Sequence, residues 1–404
     1  MIKNVTLGLP KKVIFCKKCV ISNQKPNSEV EIKSKFKKKK STQNIDENGI
    51  CNACKYATIK ESIDWDAREN ELVKLLDKHR KNDGSYDCIA PSSGGKDSCY
   101  VAHILKYKYN MNPLTVTWAP HEFTQIGWDN FQNLLNSGFD NILVTPNRNV
   151  HRKLTKHSFL NLLHPFQPFI VGQKIAAPKV AIKYKIPLII YGENPAEYGN
   201  KIEDNDNPMM DTSYFSVDKS ELNDFYLSGL SKSELINKKI LTEKDFNFYA
   251  PIDSEEVKKN NIEIHYMSYY KKWDPQENYY YASEHTGFKS NTERTQGTYS
   301  KYSSIDDAID GFHYFTTLIK FGIGRATYDS AQEIRNGKIT REEGVQLVEK
   351  YDQEFPNKYF KDFLKYISLT EDEFHETIDS FRAPHLWVKK HGEWVLKNPV
   401  SNIL

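Results

Sequence analysis

Pro91-Ser92-Ser93-Gly94-Gly95-Lys96-Asp97-Ser98 follows a short strand candidate, Tyr86-Asp87-Cys88-Ile89-Ala90. It runs into Cys99-Tyr100-Val101-Ala102-His103-Ile104-Leu105-Lys106, where Val101, Ile104 and Leu105 share one helical face. A strand, a Gly-Gly turn and a helix in that order aim backbone N–H groups and a helix N-terminus at an anion. Gly94 and Gly95 let the backbone approach phosphate oxygens with no Cβ in the way. Ser93 and Ser98 add hydroxyls, Lys96 a positive charge, and Asp97 a carboxylate able to help hold Mg²⁺ or orient the loop. The spacing is neither that of a Walker A loop nor GxGxxG.

The flanking segments extend this unit. Trp65 to His79 reads as a polar helix, Leu114 to Trp118 as a strand, Phe131 to Ser137 as a helix and Asn141 to Thr145 as a third strand. Ile186 to Tyr191 is a further strand and ends in Gly192-Glu193-Asn194. Alternating strands and helices predict a parallel sheet with ligand at the carboxyl ends of its strands. Gly192 and Glu193 therefore fall on the ligand side; for Glu193 a role in holding Mg²⁺ or substrate and one as an exposed turn acid are both open.

Two CxxC pairs, Cys16/Cys19 and Cys51/Cys54, supply the four thiolates of a tetrahedral zinc site. Four thiolates leave no open position for chemistry, so a structural role is expected. Between the pairs lies a Lys-rich insertion (31–43) whose run Lys33 to Lys40 reads as a solvated loop. Cys88 and Cys99 have no ligand spacing and are expected in the core.

Farther along, Lys320-Phe321-Gly322-Ile323-Gly324-Arg325 is the best candidate for phosphate or carboxylate recognition. Arg325 can grip a carboxylate or phosphate bidentately, Lys320 adds charge, and the glycines permit close backbone approach. His313 precedes Lys320 by seven residues; structural and catalytic roles are both open for it. The tyrosine-rich stretch Tyr266 to Tyr281 reads as a packing surface. Thr340-Arg341-Glu342-Glu343 and Thr370-Glu371-Asp372-Glu373 are capping boxes that open helices.

Composition excludes several classes. The 404 residues carry 56 Lys+Arg against 53 Asp+Glu, a net +3 that lacks the basic excess of a dedicated nucleic-acid binder. The longest apolar runs are strand-sized, so no membrane span is expected. The segment Met1 to Phe15 has no signal-peptide pattern, and a cytoplasmic location is the expectation. No internal repeat is visible.

Ser93-Gly94-Gly95-Lys96-Asp97-Ser98 resembles the signature of the PP-loop ATP pyrophosphatases, which grip the pyrophosphate of ATP and transfer AMP to a substrate oxygen. Phe15 to Val20, Arg294 to Tyr302, Asp310 to Phe315, Lys320 to Thr327 and Glu333 to Glu343 narrow the likeness. With the loop, they resemble the N-acetyl sugar amidotransferase family of bacterial surface-glycan biosynthesis, from about Phe15 to about Phe355. That resemblance implies an α/β fold in three parts. A zinc-ribbon-like module with the four cysteines spans 1–62, and a PP-loop (adenine nucleotide α-hydrolase-like) domain spans 63–255. A mainly helical substrate and partner region spans 256–404.

The resemblance also implies ATP, Mg²⁺ and Zn²⁺ as cofactors. Ser93, Gly94, Gly95, Lys96, Asp97, Ser98, Thr117, Trp118, Gly192 and Glu193 would bind nucleotide, with Thr117 and Trp118 near adenine and ribose. Lys96, Asp97, Lys320 and Arg325 would serve catalysis. The implied reaction turns an N-acetyl group into an acetamidino group. The chain has no Gly-x-Cys-x-Gly elbow of a glutaminase. The implied partners are therefore a separate glutamine amidotransferase and a cyclase-like subunit, both similar to the histidine-biosynthesis pair, with no nucleic acid and no membrane. Two alternatives stand beside this: a PP-loop tRNA-modifying enzyme of thiolation or lysidine type, and a non-catalytic zinc scaffold.

Overall fold

A computed structural model describes residues 7–35, 39–200 and 207–403. Its centre is a five-stranded sheet of β1 (Cys88–Pro91), β2 (Pro113–Trp118), β3 (Asn141–Val144), β4 (Leu188–Tyr191) and β5 (Glu263–Tyr266). The order is β3-β2-β1-β4-β5 and every pairing is parallel. Helix α1 (Asn52–Lys60) precedes α2 (Trp65–His79). Side chains alternate between two apolar layers. Cys88, Ala90, Leu188 and Ile190 face one side, with Leu72 and Leu76 of α2 and Cys99 and Val101 of α3 (Lys96–His103). Ile89, Ile189, Leu114 and Val116 face the other, with Leu154 of α5 (Arg148–Leu162) and Val171 and Ile175 of α6 (Gln167–Tyr184). Burial on both faces is why these strands read as apolar runs rather than as alternating ones.

The chain moves outward from β1 to β2 and β3, then returns to lay β4 on the other side of β1. The reversal leaves a crevice at the carboxyl ends of β1 and β4, the place where such sheets bind ligands. The segment Ser92–Gly95 leaves β1 into that crevice, and Gly192-Glu193 leaves β4 beside it.

Three expectations change. The helix read over Phe131 to Ser137 is longer: α4 (Gln125–Asn136) starts at Thr124, whose Oγ1 accepts a hydrogen bond from Gly127 N at 3.0 Å. In its first turn, Gln125-Ile126-Gly127-Trp128, the buried position is Gly127, so no apolar side chain marks the core-facing side there. The fifth strand follows residue 255, and its last residue, Tyr266, opens the tyrosine-rich stretch. The remainder of that stretch packs as expected, with Tyr270 and Trp273 buried and α7 (Pro275–His285) against α3.

The third change concerns the insertion. Ile32 is fully buried in the layer with α5 and α6, and Gln167 Nε2 donates to the Glu31 carbonyl at 3.0 Å. Lys33 is exposed, while Lys40 pairs with Glu29 at 2.8 Å. Ile32, just before the like-charged run, is an apolar anchor, so the insertion 31–43 is not a wholly solvated loop. Phe36, Lys37 and Lys38 lie outside the described residues.

The C-terminal region carries α8 (Asp310–Phe321), α9 (Arg325–Arg335), α10 (Arg341–Tyr351), α11 (Phe360–Ile367) and α12 (Glu371–Ser380). Both capping boxes form, at Thr340 with Glu343 and at Thr370 with Glu373. A two-stranded hairpin, Trp387–Lys390 with Glu393–Leu396, adds to the helices. Phe312, Phe363 and Phe374 pack with Phe159 of α5 and join this region to the α/β unit. Among the described residues no helix is long and apolar enough to cross a membrane.

Candidate active site and metal centre

Gly94 sits at φ +88°, and a Cβ there would lie 2.6 Å from the backbone nitrogen of Phe131 on α4. Glycine is thus required by the fold itself. Gly95 differs: it caps α3 at φ −70°, and a Cβ would meet only Ser93 Oγ at 3.5 Å. No side chain caps α3 at this end, so its first N–H groups stay available to an anion. Ser92 Oγ donates to Ser98 Oγ at 3.0 Å, and Ser98 Oγ donates to the Gly95 carbonyl at 2.9 Å, fixing the loop.

Two connected cavities open from the loop. One, of about 320 Å³, is bounded by Ser93 to Ser98, Glu193, Tyr302, Asp306 and Arg325. The other, of about 400 Å³, is bounded by Ser93, Trp118, Lys174, Glu193, Asp306 and His313. Seven of the ten nucleotide-binding positions expected from the sequence line the first, and Gly192 and Trp118 line the second. Gly172 on α6 makes room for Trp118: a Cβ there would lie 2.1 Å from the indole. The buried Trp118 Nε1 has no hydrogen-bond partner among the described residues. Thr117 does not reach the cavities. It is buried, its hydroxyl bonds the Ser92 carbonyl and accepts from Asn141 Nδ2 at 2.8 Å, and so it braces the loop from behind.

The two C-terminal cations part company. Arg325 reaches the loop cavity, held by Asp329 at 3.0 Å and by the face of Tyr314 at 4.3 Å. Lys320 does not. Its ammonium is buried, donates to the Leu162 carbonyl at 3.1 Å, and is pushed down to about 7 by burial. Lys320, expected to serve catalysis, lies beside Glu31 and the α5 C-terminus and borders neither loop cavity. Gly322 at φ +67° ends α8 and redirects the chain between these two residues.

Carboxylates crowd the crevice. Burial, with Asp97 nearby, pushes Glu193 up to about 7. Asp306 also rises to about 7, through burial and then the charges of Asp310 and Asp307. Lys174 opposite is lowered to about 8 by burial. His313 is held well below its usual range by burial, so it is neutral, and its Nδ1 has no partner among the described residues. Sequence reasoning missed Asp306, Asp307, Lys174 and His121. Asp307 accepts from His121 N at 2.8 Å and lies 2.7 Å from His121 Nδ1, which docks the C-terminal region over the loop after β2. No local motif marks these residues; a pair of adjacent aspartates before a helix was the only signal.

These acids bear on a magnesium requirement. Among the described residues, no group of three or more carboxylates or imidazoles brings its donor atoms within 4.8 Å of one another. Mg²⁺ is held by one or two carboxylates together with substrate phosphates and water rather than by a protein cage. Asp97 and Glu193 fit this demand.

The four N-terminal cysteines do make a cage. All are buried and their sulfurs lie within 4.8 Å of one another, with Cys16 Sγ 3.9 Å from Cys54 Sγ and Cys19 Sγ 3.7 Å from Cys51 Sγ. Lys18 N and Cys51 N each point at Cys16 Sγ from 3.4 Å and soften its charge. This arrangement can hold a metal ion. The module packs on Ala331 of α9 and Val345 and Val348 of α10, with Arg341 Nη2 3.3 Å from the Cys16 carbonyl. Cys88 and Cys99 are core residues, and burial pushes the Cys99 thiol up to about 12.

Residues 296–400 match the family model of the LPS biosynthesis protein WbpG-like, C-terminal domain. An uncharacterized protein of Methanocaldococcus jannaschii, MJ1599, is 34% identical over 79 residues. The match takes in 20% of this chain and only 28% of that protein's length. Among solved structures, the U34-tRNA thiolase NcsA from Methanococcus maripaludis with its 4Fe-4S cluster aligns over 76% of this chain and 87% of its own. That alignment has 14% identity and a TM-score of 0.28.

Proposed function

We propose that this chain, whose C-terminal part matches a domain of lipopolysaccharide biosynthesis, is an ATP-dependent amidotransferase that converts an N-acetyl group of a bacterial sugar into an acetamidino group. The observation that carries the reading is one crevice: the uncapped Ser93–Ser98 loop, Glu193 and Arg325 all border a single cavity. A ligand with several phosphates has backbone N–H groups on one side and a guanidinium on the other.

An amide carbonyl is a poor electrophile and its oxygen a poor leaving group. Attack of that oxygen on the α-phosphorus of ATP forms an O-adenyl imidate and releases pyrophosphate. Ammonia then adds to the imidate carbon, and AMP departs with the former amide oxygen, leaving the amidine. Lys96, Lys174 and Arg325 stabilise charge on the phosphates, where fixed donors in a partly dry site count most. Asp97 and Glu193 would hold Mg²⁺, which offsets phosphate charge when bound. The four-cysteine cage would hold Zn²⁺ in a structural role. Thiolation chemistry is disfavoured because Cys88 and Cys99 are sealed in the core.

Ammonia would come from a separate glutamine amidotransferase and a cyclase-like subunit. An enclosed route protects the imidate from water, which would regenerate the amide. The test is mass spectrometry of N-acetylated sugars incubated with the chain, ATP, Mg²⁺ and ammonium. The expected product is lighter by one mass unit, with AMP and pyrophosphate released and glutamine alone inactive. ADP and orthophosphate as the products would overturn the reading.

A further inference from the structure

A cavity of about 760 Å³ lies apart from the two at the phosphate loop. It lies in the size range of small-molecule sites. We propose that it is the acceptor site: it holds an N-acylated sugar bearing an anionic group, with Lys301 and Lys358 binding that anion. This rests on the proposed reaction for the identity of the acceptor, and on the following geometry for its location.

The cavity adjoins the loop. Ser304 and Ile305 border both it and the loop cavity, and Asp307 borders both it and the cavity under Trp118. A molecule seated there can extend one group past Ser304 toward the Ser93–Ser98 loop. The other two cavities, each smaller and facing the phosphate-binding N–H groups, suit the nucleotide.

Its walls have the chemistry of a carbohydrate site. Asn291, Thr292, Thr295 and Gln296 offer amides and hydroxyls that match sugar hydroxyls, while Tyr359 offers flat apolar surface to sugar C–H groups. The walls are also clipped together in advance. Arg294 makes a bidentate pair with Glu354, at 2.6 and 2.7 Å, and the same carboxylate accepts from Gly297 N at 2.9 Å. Gln296 Oε1 accepts from Lys358 N at 2.8 Å, which ties the 291–301 segment to 356–359. A preformed cavity of this kind loses little entropy on binding.

Charge selects the ligand class. Arg294 is neutralised by Glu354, and Asp307 is engaged by His121. Lys301 and Lys358 both border the cavity and have no carboxylate partner among the described residues; Glu293 is the remaining acid on the rim. Two uncommitted ammonium groups beside hydroxyl-matching walls fit a sugar that carries a carboxylate or a diphosphate.

The experiment is calorimetric titration with two probes, N-acetylneuraminic acid (a carboxylate on the sugar) and UDP-N-acetylglucosamine (a diphosphate). Each is titrated into the wild-type chain and the Lys301→Ala/Lys358→Ala double variant, with ATP affinity measured in parallel. Both lysines are exposed, so the variant is expected to fold. At least one probe should bind wild type and bind the variant about tenfold more weakly, roughly 1.4 kcal/mol, with ATP affinity unchanged. The probe that binds identifies the anion. Failure of both probes to bind, or equal affinity for the two proteins, would overturn the assignment. Probe binding lost in the variant, with no AMP formed by wild type on any sugar, would retain the site and sink the reaction. Amidine formed with an unchanged acceptor KM in the variant would do the reverse.

Discussion

Asn278 Nδ2 donates a 2.9 Å hydrogen bond to Asp97 Oδ1, so α7 grips the phosphate loop from the far side of α3. Asn278 is buried and Asp97 partly so, and Lys96 Nζ contacts the other carboxylate oxygen. The carboxylate is thereby aimed by two donors before any ligand arrives.

Asn278→Ala frees Asp97 to rotate. A hydrogen bond to a charged group contributes about 1.5–3 kcal/mol, so turnover is expected to fall roughly tenfold to a hundredfold. The magnesium concentration for half-maximal rate should rise, a change that simple loss of packing would not produce. Steady-state AMP formation across a magnesium titration measures both.

The two loop glycines should separate fold from function. Gly95→Ala fits its φ and meets only a side-chain oxygen, so thermal stability should stay within about 1 kcal/mol of wild type while ATP affinity collapses. Gly94→Ala places a methyl against the α4 backbone at a left-handed φ and should lower stability by several kcal/mol. Calorimetry on both variants, with nucleotide titration of the folded one, distinguishes them. Equal destabilisation of the two would show that the α3 cap is as crowded as the turn before it.

Asp306 carries a pH signature. Burial and the neighbouring aspartates raise its pKa to about 7 from 3.8. Between those two values the folded state keeps a proton that the unfolded chain releases, so this group makes stability fall as pH rises through the window. Asp306→Asn removes the effect. The variant should melt higher than wild type at pH 8, by several degrees at about 2–4 °C per kcal/mol, and the gap should close near pH 4. A gap independent of pH would mean that Asp306 ionises normally.

Metal removal should act on stability before chemistry. Cys51→Ser, or stripping with a chelator, is expected to cost several kcal/mol because binding and local folding are coupled. The damage should spread to α9 and α10, which pack on the module. Elemental analysis should find one zinc per chain in wild type. Its absence from protein purified without chelator would dispose of the structural-zinc proposal.

What the sequence determined by itself was everything whose physics is local. The strand–Gly-Gly–helix order, the two cysteine knuckles and the capping boxes at Thr340 and Thr370 each complete their hydrogen bonds or ligand sets within a few residues or by a fixed spacing. They formed as read. The tertiary structure alone decided which distant groups meet. Lys320 and Arg325 stand five residues apart and look equivalent in sequence, yet Gly322 turns the chain, sending the lysine to Glu31 and the arginine to the loop. Asp306 and Asp307 enter the crevice only because the C-terminal region docks on the loop after β2. The four-cysteine module rests on helices more than 270 residues away, through apolar contacts that carry no signature in the order of residues. Burial sets the charge of Glu193, Asp306 and Lys320, and burial is a property of the packed chain rather than of any segment of it.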